Sequence, residues 1–452
     1  MFNLKRGLTL SATLCVKIIN LIKGGIMLKK LPIFLSIILM FSFNYGFSKT
    51  KVEIMFWDQF PDVSDQMDAV VADFNASQSN VEVVRESYTT ETMRDVIKTA
   101  LTSGTGPDIF YYDLGPAFAG VLAKANLLLP LDDAYKQYNW DRVLYRWTLS
   151  RSVYDDKIYG VANELEFIGI YYNKRIFKEN NWAIPESWDD LMSLCGSAKK
   201  AGLYPIAFTN GPSWPTYHMF SIMMNNAVGR KRLAAMISGK ESWDHPDTVD
   251  AIQKFFVDMK ESDCFPPSVN SISYEDGLAL LQNGTAAMHP SGTWNVEAFS
   301  NPKKTSEPIG FFFLPPLNNK PIVVPVGIGS GWLVNAKTKH PQEVMEFLNY
   351  LISDDMCKRW IVEINAVPAY PCNTEGMRIS GLLSFAINII GEQAETAGYN
   401  IDVLTPNNFN KVMWDGFAGV LAGVKSPKEQ AVDLEAAMQE ALKKGMVVDI
   451  TK

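Results

Sequence analysis

The sequence predicts an α/β protein, with helices on both faces of its sheet. Three observations predict it. Strand-like and helix-like stretches alternate as βαβαβ over residues 51–128. Past residue 150, strands follow one another directly, so a second unit of different order joins the first. The chain has 452 residues, enough for roughly two to three domains with substantial cores.

The elements follow in order. "KVEIMFW" (51–57) reads as a buried first strand, and Ser64 opens a helix with Met67, Val70, Val71 and Phe74 on one face. "NVEVVRESY" (80–88) alternates as a second strand. Thr90 precedes a helix whose inner face is Met93, Val96, Ile97, Ala100 and Leu101. "DIFYY" is the third strand and "PAFAGVLAKANLL" the next helix. Residues 155–174 read as a turn and two strands. Ser187 and Asp190 fit a capping box, followed by a strand at "YPIAFT" (204–209) and helices around 246–261 and 273–283. "TAAMHP" (285–290) is a strand, and residues 307–335 give strands broken by Pro and Gly. The last helix has Ser426 as N-cap, Pro427 at its first position, Glu429 at its third, and Gly445 after its end.

Residues 1–48 differ from the rest, with six Lys/Arg and no Asp or Glu. Lys29-Lys30, the run Leu31–Phe43 and "NYGFS" have the order of a signal peptide, with Gly46 and Ser48 at the −3 and −1 positions. The run is shorter than the roughly 20 residues a membrane span needs, which disfavours a retained anchor. A signal peptide of 27–48 is therefore expected, cleaved near Ser48-Lys49. Residues 1–26 are expected to be an upstream extension from a misassigned start, because codons for "KGG" before Met27 resemble a ribosome-binding site. No cysteine follows the apolar run, so no lipid anchor is expected. Losing residues 1–48 would take the formal net charge from −7 to −13. Such an acidic chain argues against nucleic acid or an anionic membrane as partner.

Cys195, Cys264, Cys357 and Cys372 remain, without C-x-x-C spacing, so a zinc or thioredoxin-like site has no support. Buried free thiols compete with disulfides, and Cys357–Cys372 is the first choice if bridges form, because the two are near in sequence.

Several chemistries are excluded or weak. "GTGPDIFYYD" (104–113) lacks the Lys of a P-loop, Pro107 offers no N–H to a phosphate, and its glycines precede a strand instead of following one. The stretch instead places Asp113 at the C-terminal end of a strand, where open α/β sheets bind ligands. "GIGSG" (327–331) is not a nucleophile elbow. His218, His245, His289 and His340 are scattered, so no metal site is expected. Glu164 and Glu166 share a strand face, a weak hint of a paired-carboxylate glycosidase. Aromatics carry more. Trp57, Trp214, Trp294, Trp332 and Trp414 sit beside loops, and indole faces with nearby carboxylates and amides suit a sugar. Burial in the core is the competing reading for each.

"KVEIMFW", "ALTSGTGPDIFYYD" (100–113), "LLLPLDD" (127–133), "KIYGVANELEFIGIYYNKRIF" (157–177), "IPESWDDLM" (184–192), "NGTAAMHPSGTWNV" (283–296) and "VGIGSGWLVNAKTKHPQEVMEFLNYL" (326–351) stand in an order that resembles the extracellular solute-binding proteins of ABC importers, in the maltose-binding branch. The resemblance covers nearly all of the mature chain. It implies the two-lobed α/β periplasmic binding protein fold, with a hinge and a ligand cleft between lobes. The N-terminal lobe would be 49–162 with 327–380 and the C-terminal lobe 163–326 with 381–452, with crossings near 161–165, 324–328 and 378–385.

It also implies a non-enzymatic monomer in the periplasm, without cofactor or metal, that captures a di- or oligosaccharide and delivers it to membrane permease subunits. By position it implies ligand contacts at Trp57, Asp58, Asp113, Asn163, Glu164, Trp294, Gly331, Trp332 and Trp414. Trp214 is added from its own Pro/Gly loop. His289 and Pro290 depart from the family pattern, so His289 is either a contact or packing. Competing readings are the same scaffold for a glycerol phosphate or polyamine, a secreted carbohydrate-active enzyme, and a sensor partner.

Overall fold

Residues 51–317, 322–392 and 397–451 are described by the computed structural model. The expected signal peptide and upstream extension lie outside the described residues. The buried run at 51–58 forms β1 (Val52–Asp58), which pairs in parallel with β2 (Val81–Ser87) and β3 (Ile109–Asp113). The connecting helices, Ser64–Ser77 and Thr90–Ser103, bury Met67, Val70, Val71 and Phe74, and Met93, Ile97, Ala100 and Leu101. Thr89, one residue before the expected cap, accepts from the Thr92 amide and starts the second helix. The helix expected across "PAFAGVLAKANLL" contracts to Ala119–Lys124.

A hairpin of β4 (Val153–Tyr154) and β5 (Lys157–Ile158) turns through Asp155 and Asp156, both at positive φ. β6 (Gly160–Ala162) then joins the first sheet, and the chain leaves it. Its next strand, β7 (Glu166–Asn173), is central to a second sheet. There β8 (Tyr204–Ile206) runs parallel to β9 (Ala286–Gly292), and β9 runs antiparallel to β7. β10 (Ile309–Phe312) and β11 (Val324–Gly327) share the other edge of β7, both antiparallel to it. β12 (Ser330–Val334) returns to the first sheet between β3 and β6, antiparallel to both. β13 (Ala397–Tyr399) closes the second sheet beside β11. Both sheets are therefore mixed: β12 runs opposite to its neighbours in the first, and β7 runs opposite to β9, β10 and β11 in the second while β8 and β13 run parallel to theirs.

The Ser187/Asp190 capping box starts the helix Trp188–Lys200, and the Ser426/Glu429 box starts Pro427–Lys443. Residues 246–261 are helical throughout, with a π turn over Gln253–Asp258. Apolar side chains fill the second half around Trp243, Phe208, Phe220, Phe255 and Phe256.

Cys357 and Cys372, the pair the sequence puts first, form a disulfide with Cα atoms 5.9 Å apart; Cys195 and Cys264 are buried free thiols. The bridge closes a loop of 15 residues. Replacing both cysteines by serine is expected to cost about 3 kcal/mol in urea unfolding, the loop-closure value for this length, and to leave ligand affinity unchanged.

Candidate functional site

Two segments pass side by side between the sheets. Ala162 still pairs with Gly331 in the first sheet, and Glu166 pairs with Gly327 in the second. Between them the Asn163 amide donates to the Ser330 carbonyl at 3.4 Å. Gly331 is needed here for close approach: a Cβ on it would lie 2.4 Å from the Val161 carbonyl oxygen.

In front of these crossings lies a cavity of about 200 Å³. The first half contributes the turn after β1, the start of the helix Thr90–Ser103 and the end of β3. The second half contributes Trp214, His218, Tyr274, Trp294, Asn400 and Asp402. The two halves touch across the cavity. Trp214 Nε1 donates to Glu91 Oε1 at 2.7 Å, and Lys304 Nζ donates to the Asp62 carbonyl at 2.6 Å.

The aromatic wall is held by hydrogen bonds. Trp294 Nε1 donates to the Tyr274 hydroxyl at 2.9 Å, and that hydroxyl also takes the Asn295 amide and faces Ser291 Oγ. Trp214 packs on Tyr274 with ring centres 4.3 Å apart, and His218 lies 4.9 Å from Trp294. Such anchoring fixes both indoles within the cavity wall.

Seven carboxyl groups line the cavity, from Asp62, Glu91, Asp113, Glu164, Glu166, Glu275 and Asp402, beside one guanidinium, Arg94. Arg94 Nε and Nη2 donate to the two Asp113 oxygens at 3.0 and 2.6 Å. This fork-to-carboxylate geometry uses up much of both charges. Asp402 is 2 % exposed, and its Oδ1 has no hydrogen-bond partner. Burial, opposed by Arg94, pushes the Asp402 carboxyl up to about 7. Burial also raises Glu164, and it raises Glu166 together with the charges of Glu164, Asp113 and Asp402. His218 is pushed down to about 3 by burial and by Arg94, so it is neutral at physiological pH.

Of the ten residues expected at the site, Asp113, Glu164, Trp214 and Trp294 line the cavity. The other six do not. Trp57 is buried against Tyr88, and Asp58 is fully buried, receiving bonds from Arg85, Ser87 and the Phe60 amide. Trp332 lies mid-strand in β12, packed among Phe56, Tyr111, Phe60 and Trp360. Its Nε1 donates to Asn163 Oδ1 at 3.1 Å, so Asn163 holds the core tryptophan from the crossing. Gly331 is the close-approach position already described. Trp414 stacks on Tyr217 at 5.3 Å. His289 is packing, with Nδ1 2.8 Å from the Ala207 carbonyl.

The residues missed are Arg94, Glu166 as a wall residue, His218, Tyr274 and Asp402. Arg94 carried a signal: it stands one position after the inward-facing Met93 on its helix, near the end that meets the strand tips. Asp402 follows β13 as Asp113 ends β3, which was a second signal. Tyr274 had none beyond its place after the Ser273 cap.

A cleft between two α/β halves, walled by both, is the arrangement of a solute-binding protein. The chain belongs to the bacterial extracellular solute-binding protein family, whose model matches residues 57–356. It is therefore a binding protein and not an enzyme. It is 25% identical over 326 residues to the multiple sugar-binding protein of Streptococcus mutans, covering 67% of this chain and 71% of that one. It is 24% identical over 352 residues to a diacetylchitobiose binding protein of Streptomyces coelicolor, with 72% of each covered. Among solved structures, one from work on xylan utilization by Caldanaerobius polysaccharolyticus superposes with a TM-score of 0.79 at 21% identity, over 85% of this chain and 99% of that one. A chitin oligosaccharide binding protein gives 0.76 at 22%, over 86% and 99%.

Two outcomes are expected. Trp332→Ala should lose about 3–5 kcal/mol of stability, as a buried large aromatic does, measured by denaturant unfolding. The second concerns pH. Unfolded, the Asp402 proton leaves near the ordinary carboxyl value of 3.8; folded, it is held to about 7. Its contribution is therefore fully present below the lower value and lost as pH rises through the upper one. Wild-type stability should fall over that window, and Asp402→Asn should flatten the fall in unfolding curves at several pH values.

Proposed function

We propose that this chain is the solute-binding component of a sugar ABC importer, and that its solute is a di- or oligosaccharide. The observation that carries the reading is the cavity wall drawn from both halves, where fixed indole faces stand opposite hydrogen-bonding carboxyl groups. Sugar rings offer C–H faces for the first and hydroxyl donors for the second. The names of the relatives, a multiple sugar-binding and a diacetylchitobiose binding protein, agree with this class.

In this reading the lobes 49–162 with 327–380 and 163–326 with 381–452 close as units about the crossings. A ligand favours closure only if it contacts both. Asp113, Glu164, Trp214 and Trp294 make the contacts, with Arg94, Tyr274 and Asp402 added. Trp57, Asp58, Asn163, Gly331, Trp332 and Trp414 support them from behind. The mature chain works as a monomer in the periplasm, freed of its signal peptide, and the closed form docks on permease subunits.

A thermal-shift and calorimetry panel of mono- and oligosaccharides tests the reading. Ligand at 100 times its Kd should add about 2.7 kcal/mol of stability. A flat response across the whole panel would reject a sugar as solute. Trp294→Ala should cost about 2 kcal/mol of binding, the scale of a buried aromatic anchor, and less than that in unfolding. An equal loss in both would assign Trp294 to the core.

A further inference from the structure

We infer that the solute of this cleft carries a cationic amine, so that the ligand class is an amino-bearing saccharide; the inference rests on the saccharide reading above. The argument starts from the charge on the wall. Seven carboxyl groups line the cavity and one guanidinium faces them. That guanidinium is committed to Asp113 through two hydrogen bonds. His218 is neutral, and among the described residues no Lys lines the cavity. Arg151 is buried outside the wall, within electrostatic reach of Asp402 but without an ion pair to it among the described residues.

Three of the carboxyl groups are buried and unequal in their support. Asp113 has Arg94. Glu164 and Asp402 have no ion-pair partner among the described residues, and Asp402 Oδ1 has no hydrogen-bond partner at all. Glu166 is pressed against Gly329, where a Cβ would stand 2.1 Å from its Oε2.

Closing a cleft over unpaired carboxylates is costly unless the counter-charge arrives with the ligand. A neutral sugar supplies donors but no charge, so over it these groups stay in the protonated form that burial favours, whereas an ammonium draws them into ionised pairs. A phosphate or sulfate would be repelled. Among the described residues no group of three His, Cys, Asp or Glu is placed to hold a metal ion. The aromatic wall decides between the remaining cations. A linear polyamine would leave the ring-sized faces of Trp214 and Trp294 without a flat partner. An amino sugar presents a ring to them and an ammonium to the acids, and the same indoles attract the cation.

Calorimetry on the mature chain at pH 7.5 tests this with glucosamine and its β-1,4-linked dimer and trimer. Each is set beside its N-acetylated form and beside the glucose counterpart, with spermidine as a fourth probe. The amino members should bind at least about tenfold more tightly than either neutral form, the worth of one charged hydrogen bond. The preference should shrink with added salt and disappear in Asp402→Asn. Glu166→Gln gives the same readout if the first variant does not fold. Equal or tighter binding of the neutral forms overturns the inference and leaves the saccharide reading standing. Spermidine binding alone overturns both. Silence of all amino members overturns the inference as well.

Discussion

The paired crossing between the sheets is the constraint on which the rest of the structure depends. Asn163 and Ser330 meet there, with Gly331 against the Val161 carbonyl on one side and Gly329 against Glu166 on the other. Two glycines allow two strands to change sheets within a few residues while staying in contact. A side chain at Gly331 would force the segments apart, while one at Gly329 would displace the Glu166 carboxyl. The same closeness brings Glu164 and Glu166 to the floor of the cavity, since the chain has only a short stretch in which to turn from one sheet to the other. Asn163 ties this floor to the core of the first half through Trp332, so the floor is set by packing as well as by backbone.

The ends of the strands supply the remaining polar groups. Asp113 ends β3 and pairs with Ser330 in the ladder, so its carboxylate stands at the lip of the first sheet. Arg94 reaches it from the helix before, and packs over the Phe118 ring at 4.8 Å. Asp402 comes from the loop after β13, whose partner β11 leads directly into the crossing. Both acids are thus placed by strands that flank the crossing, one from each sheet. Across the lip Gly115 approaches the Val403 carbonyl so closely that a Cβ would lie 2.1 Å from its oxygen, at φ +98°. Only glycine tolerates that contact and that backbone together.

Much of the fold was legible in the sequence. Strands with a clear pattern, such as the buried run of β1 and the alternation of β2, and helices with side-chain caps, such as Trp188–Lys200 and Pro427–Lys443, fall where their patterns place them. The helix Pro215–Val228 did not announce itself. It buries nearly every residue from Pro215 to Ala227, so it has no polar face to give a helical period. The antiparallel course of β12 was also hidden, because strand direction depends on where the chain has been in the interval and not on local residues.

The tryptophans show the limit at the site itself. "SGTW" and "GSGW" look alike in sequence, yet Trp294 faces the cavity and Trp332 lies in the core. Trp294 follows the end of β9 in a tight turn, held outward by its bond to Tyr274. Trp332 falls in the middle of β12, with strands on both sides, so its side chain enters one of the packed faces.

The carboxylates obey the same logic in reverse. Their number could be counted in the sequence, but whether each was answered by a cation could not. Arg85 answers Asp58 and Arg94 answers Asp113, whereas Asp402 feels Arg94 and Arg151 only at a distance and has no ion pair among the described residues. Burial turns that last difference into a demand on the ligand, because a site that desolvates an unpaired acid selects by charge before it selects by shape.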